Sequence, residues 1–128
     1  MTHTFKPVEH HKLVLPEHMN HQGSLYGGNL LKWIDEVAYI SANIHFPSHR
    51  FVTVSLDNVE FKHRIECGEI ICFNVDLVNR GTTSVSYLVT VKGTRSKSDL
   101  VLFETKITFV SVDNHGYKTA IVDFTSDD

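Results

Sequence analysis

The run Asn20-His21-Gln22-Gly23-Ser24-Leu25-Tyr26-Gly27-Gly28, followed seven residues later by Asp35, holds the residue types that a reaction at a carbonyl requires. Two adjacent glycines at a helix start let a ligand approach the backbone. The free N–H groups there, at the positive end of the helix dipole, can stabilise an oxyanion. A tight turn is the plainer reading of the same pair. Asn20 carries an amide that both donates and accepts, so it can hold a water or a carbonyl, and it equally suits an Asx turn. Asp35 falls at the border of an apolar helical stripe, near Leu31, Ala38 and Ala42. A carboxylate there tends to be desolvated, which suits a general base, although ordinary boundary carboxylates occupy such positions too. Arg80-Gly81-Thr82-Thr83-Ser84 joins a cation, a turn and three hydroxyls; this can hold a phosphate or be simply a polar hairpin loop.

Other chemistries find less support. The nine histidines are the one compositional excess. No HExxH and no Cys/His pair with zinc spacing occurs, so surface or hydrogen-bonded histidines are expected, and no metal site. There is no G-x-S-x-G, P-loop or dinucleotide fingerprint. Cys67 and Cys72 read as free thiols in a reducing compartment. A net charge of −3 without a basic run argues against nucleic acid or an anionic membrane as partner. No apolar run is long enough for a membrane span, and Met1 to Glu9 contains no apolar signal core. A cytoplasmic protein is the expectation.

The elements that must position these residues follow from periodicity. The 128 residues suit one domain, 1–128. His11 to Leu15 reads as a strand with Leu13 and Leu15 on one face, and Pro16 to Ser24 as a loop. Asn29 to about His45 has helical periodicity, with a stripe of Leu30, Leu31, Trp33, Ile34, Val37, Ala38, Ile40, Ala42 and Ile44. Pro47 stops it. Strands follow from Phe51 to Phe61 with a bulge near Asp57-Asn58, from Ile71 to Leu77, from Val85 to Val91, and from Leu100 to Val112. Asn79 to Thr82 is a hairpin signal, Gly93 to Asp99 a loop, and Ser126 to Asp128 a fraying acidic tail. The result is an α+β architecture with one apolar helix on an antiparallel sheet. One sheet covers only one side of so wide a stripe, so Trp33 and its neighbours are expected to be covered partly by a second subunit.

The segment Leu15 to Glu36 resembles the signature of the hot-dog-fold acyl-CoA thioesterases, in the form of the cytosolic acyl-CoA hydrolase branch: P-x-x-x-N-x-x-G-x-x-x-G-G, then W-[hydrophobic]-D-E. The resemblance continues through Val52 to Asp57, Phe61, Gly68-Glu69 and Gly81 to Ser84. It implies a curved sheet wrapped around one central helix, paired in dimers and often in trimers of dimers, with active sites at the dimer interface. It also implies that Asp35 and Asn20 are catalytic and come from opposite subunits. Gly28, with Gly27 beside it, would present a backbone N–H to the thioester oxygen, and Gly81, Thr83 and Ser84 would form the CoA-binding turn. The family's usual arginine after the turn glycine is Thr82 here; Arg80, just before the glycine, is the candidate substitute. Arg64 and Glu69 replace a proline and an aspartate of the pattern.

The implied reaction is hydrolysis of acyl-CoA to a carboxylic acid and CoA, with Asp35 as general base or nucleophile. A thioester is already activated, so neither a metal nor a redox cofactor is called for. A non-catalytic acyl-CoA-binding module is the alternative. A dehydratase acting on hydroxyacyl thioesters fits less well, since it pairs a histidine with a carboxylate.

Overall fold

Apolar residues at helical spacing bury one face of a helix, and alternating apolar residues bury one face of each strand; the fold joins these two faces. The computed structural model describes residues 5–94 and 100–122. In chain order the elements are β1 (Val8–Leu13), a 3-10 turn (Pro16–His18), α1 (Gly27–His45), β2 (Arg50–Phe61), β3 (Ile70–Arg80), β4 (Ser84–Gly93) and β5 (Val101–Val112). The five strands form one antiparallel sheet in the order β1-β3-β4-β5-β2. Helix α1 lies on the sheet against β2, β3 and β4. Leu30, Trp33, Ile34, Val37, Ala38 and Ala42 meet Phe73, Val75, Tyr87, Val89, Ile107 and Phe109 in the core.

The expected α+β fold, with one helix on an antiparallel sheet, is the observed one. Four details differ. The helix begins at Gly27, two residues before Asn29, because a first helical turn makes few internal hydrogen bonds and tolerates glycine. The first strand begins at Val8 and ends at Leu13, where its pairing with β3 ends. Its phase is reversed: Val14 is buried, while Leu13 and Leu15 are exposed. Trp33 is covered by its own chain, with the His18 ring edge-on at 4.8 Å and the Lys12 ammonium 5.2 Å from its ring centre. Part of the wide stripe does stay open, at Ile40 and Ile44.

The bulge expected near Asp57-Asn58 is present. The β2–β5 register shifts between Asp57 and Glu60, and Asn58 adopts φ 58°. A second shift, between Thr53 and Ser55, bends the strand beside the helix. The expected loop after Gly93 lies partly, and the acidic tail wholly, outside the described residues.

Candidate active site

Asn20 and the glycine pair are brought together by a loop that closes on itself. The Oδ1 of Asn20 accepts from the backbone N–H of Gln22 at 2.8 Å and of Ser24 at 3.2 Å, while its amide donates to Ser24 Oγ at 3.2 Å. The Asx turn is therefore real, and it fixes the amide at the mouth of a cleft of about 370 Å³. Gly27, Leu30, Phe61 and Ile65 form its apolar lining; Lys62, His63 and Arg64 form a basic rim. Arg64 donates to the Gln22 carbonyl at 2.8 Å and so ties this rim to the loop.

The glycines at the start of α1 make room for aromatic rings. A Cβ on Gly27 would lie 2.9 Å from the Phe61 ring, and one on Gly28 would lie 2.6 Å from the Tyr26 ring. The N–H groups of Asn29 and Leu30 both turn back to the Tyr26 carbonyl, at 3.0 and 3.3 Å. Those of Gly27 and Gly28 are among the first N–H groups of the helix, which lack an intrahelical acceptor.

Asp35 lies elsewhere on the helix. It is half-buried, and its Oδ1 accepts a hydrogen bond from Thr53 Oγ1 at 2.6 Å. Thr53 carries no role in the sequence reading. Its signal was a hydroxyl set between Val52 and Val54 in an otherwise apolar alternation, on the strand beside the helix. At 1.5 Å per residue, Asp35 stands roughly 10 Å along the axis from Gly28. A reacting carbonyl must lie within reach of both a nucleophile and an oxyanion donor, and within one chain seven residues of helix separate Gly28 from Asp35.

The turn after β3 is more distant still. Gly81 N–H donates to the Ser84 carbonyl at 2.8 Å, and the Thr82 and Thr83 carbonyls accept from Ile121 and Ser111. The Arg80 guanidinium lies over the Phe46 ring at 4.9 Å and donates to the Ile121 carbonyl at 3.2 Å. Phe46 caps the C-terminal end of α1. The turn thus lies at the end of the helix opposite the glycine pair, the helix being roughly 28 Å long. Within one chain the residues grouped by the sequence fall at three stations along α1: Asn20, Gly27 and Gly28 at its start, Asp35 at mid-length, and Arg80 to Ser84 at its end.

Several histidines are engaged structurally. His10 faces the helix, 3.4 Å from Ser41 Oγ, and His45 Nδ1 is 2.9 Å from the Tyr87 hydroxyl. Burial lowers the pKa of both from the ordinary histidine value; His11 lowers that of His10 further. For His45, the Lys6 backbone and Asp76 oppose the shift. Burial also raises the Tyr87 phenol well above its ordinary range. Both cysteines are free thiols.

One helix on a five-stranded antiparallel sheet is the architecture of the hot-dog thioesterases. The model of the Thioesterase superfamily matches residues 22–98, and the chain belongs to that family. Among curated proteins it is 43% identical over 77 residues to acyl-coenzyme A thioesterase 11 of Mus musculus, covering 60% of this chain but only 13% of that protein. It is 30% identical over 118 residues to the acyl-CoA thioester hydrolase YciA of Escherichia coli, covering 85% of this chain and 86% of the relative. Among solved structures, an acyl-CoA hydrolase from Staphylococcus aureus in complex with butyryl coenzyme A and coenzyme A aligns with a TM-score of 0.79 at 28% identity, over 95% of this chain and 73% of the other. The hexameric hotdog fold thioesterase Cj0915 of Campylobacter jejuni aligns with a TM-score of 0.78 at 33% identity, over 88% and 87%. The S. aureus enzyme has also been solved as variants in which an asparagine, an aspartate or a threonine is replaced by alanine.

Proposed function

We propose that this chain hydrolyses acyl-CoA thioesters to a carboxylic acid and CoA, as a dimer whose two sites are each built from both copies. The observation that carries the reading is the half-buried Asp35, braced by Thr53 on the edge strand β2 and set far along α1 from the glycine pair. A second copy paired across β2 supplies the missing end of the site. The hexameric assembly of Cj0915 supports such pairing, and a trimer of dimers is the expected higher form.

In this reading Asn20 of the partner subunit orients a water and Asp35 takes its proton. The water oxygen attacks the thioester carbon while the Gly28 N–H, beside Gly27, stabilises the oxyanion. The C–S bond then breaks and CoA departs as thiolate, to be protonated. Direct attack by Asp35, through a mixed anhydride that water opens, uses the same groups. Gly81, Thr82, Thr83 and Ser84, with Arg80 beside them, hold the CoA end; the fixed turn and its hydroxyls support this. The activated thioester supplies the reactivity, so no metal or redox cofactor takes part. The whole chain acts as one catalytic domain, and the free thiols of Cys67 and Cys72 support a reducing, cytoplasmic setting.

The test is free-thiol release from short, medium and long acyl-CoAs by the wild type and Asp35→Asn. The variant is expected to lose about 10²- to 10⁴-fold in kcat with its assembly unchanged. Equal rates in the two proteins would remove Asp35 from the chemistry. Stable acyl-CoA binding without release by the wild type would make the chain a binding module.

A further inference from the structure

The face of the sheet turned away from α1 carries a group of side chains that the thioesterase reading does not use. In β1, Val8 and His10 point toward the helix, so Glu9 and His11 point outward. In β3, Ile71, Phe73 and Val75 are buried in the core, so Cys72 and Asn74 point outward. The antiparallel register sets His11 directly opposite Cys72 and Glu9 opposite Asn74. A carboxylate oxygen of Glu9, a ring nitrogen of His11 and the sulfur of Cys72 lie within 4.8 Å of one another. They border a depression of about 540 Å³, with Thr90 and Lys92 of β4 on its far side.

We propose that Glu9, His11 and Cys72 form a surface site for a divalent transition-metal ion of the zinc type, which clips β1 to β3. The site lies outside the thioesterase machinery and does not depend on that activity. The donor set is one thiolate, one imidazole and one carboxylate, the borderline mixture that zinc takes in preference to magnesium or calcium. Bond lengths of about 2.0–2.3 Å in tetrahedral geometry require donor atoms roughly 3.5 Å apart. A contraction of about 1 Å from the present limit is a side-chain rotation, and Glu9 and His11 are exposed and free to make it. Three protein ligands leave a fourth position for water.

Charge is consistent with this. On binding, the Cys72 thiol releases its proton to solvent and the sulfur binds as thiolate. Thiolate and carboxylate together neutralise a dication, so the filled site carries no net positive charge toward the Lys92 ammonium, in register opposite Cys72. The ligands escape a search by sequence spacing because they come from two strands. Their 61-residue separation between His11 and Cys72 becomes adjacency only through the β1–β3 register.

Cobalt reports the chemistry directly. Chelator-treated full-length protein is titrated with Co²⁺, then with Zn²⁺. The expected result is a thiolate-to-cobalt charge-transfer band that saturates at one metal per chain and is displaced by Zn²⁺. It should vanish in Cys72→Ser, persist in Cys67→Ser, and weaken at least about tenfold in apparent affinity in His11→Ala and Glu9→Gln. Because His11 is exposed, its variant folds and gives an answer even if Cys72→Ser does not. Absence of the band, its survival in Cys72→Ser, or unchanged affinity in His11→Ala would each overturn the site.

Discussion

The sheet has two free edges, and they are built differently. β1 is 6 residues long and presents Glu9, His11, Lys12 and Leu13 to solvent; β2 is 12 residues long and presents Val52, Val54, Val59 and Phe61 together with Arg50, Asp57 and Glu60. Charged side chains on a short strand blunt an edge against pairing, whereas a long edge with exposed β-branched and aromatic residues invites it. The inviting edge is also the one whose Thr53 holds Asp35, and its far end, through Phe61, covers Gly27. On the proposed reading association and catalysis share β2, while β1 is fastened to its own chain through β3 and the helix.

The strongest way to break that contrast is to charge each edge in turn. Val54→Lys, at a position 54% exposed, should prevent pairing across β2. Thiol release should fall with it, by an amount comparable to loss of the general base, about 10²-fold or more. The matching change on the other edge, Lys12→Glu, should leave both assembly and rate as they are. Light scattering on the eluting protein, read beside the rate, separates the two. A Val54→Lys protein that stays dimeric would move the interface elsewhere.

A smaller effect sharpens the role of β2 within the site. Thr53→Val keeps the strand's shape and removes the hydroxyl that bonds Asp35. A hydrogen bond to a charged group contributes about 1.5–3 kcal/mol, so kcat should fall about 10- to 100-fold. KM and oligomeric state should hold constant, since the threonine orients the base and its loss leaves the edge apolar. A rate within twofold of wild type would make the contact incidental.

The smallest expected effect belongs to the β1 side. His10 reaches Ser41, and His45 stacks on Phe5 at 4.4 Å, just ahead of β1. Both histidines have pKa values below the ordinary 6.5, chiefly through burial. Between the folded and unfolded values the unfolded chain binds more protons, so stability rises with pH there. Their contribution is complete above about 6.5 and is lost as the pH falls through that value toward the folded pKa. Melting temperature should drop on acidification across this window, and His45→Phe should flatten the slope. A melting temperature that rises on acidification would reverse the assignment.

Much of the fold could be read from the chain because alternation and helical periodicity are local. The β2 bulge was visible as a change of phase between Leu56 and Val59. The start of α1 was not, because Gly27 and Gly28 have poor helix propensity and the first turn makes little use of propensity. The phase of β1 was missed for a different reason. Leu13 and Leu15 look buried in isolation, and only the β3 register and the Glu69 carbonyl that holds the Val14 N–H turn the chain the other way. For the candidate site, residue types singled out Asn20, Asp35 and the glycine pair. Thr53 escaped because its importance lies in a contact across 18 residues, and a strand bend beside the helix creates that contact.

The roughly 10 Å along α1 between the glycine pair and Asp35 has a consequence for regulation by abundance alone. A site divided between copies exists only as often as two copies meet, so output per molecule rises with concentration and vanishes at dilution. It also permits rescue between two inactive proteins. On the proposed reading, mixed Asn20→Ala and Asp35→Asn chains should re-form one intact site in each heterodimer and leave the other doubly damaged. Random exchange would thus return about a quarter of the wild-type rate from parents that have almost none.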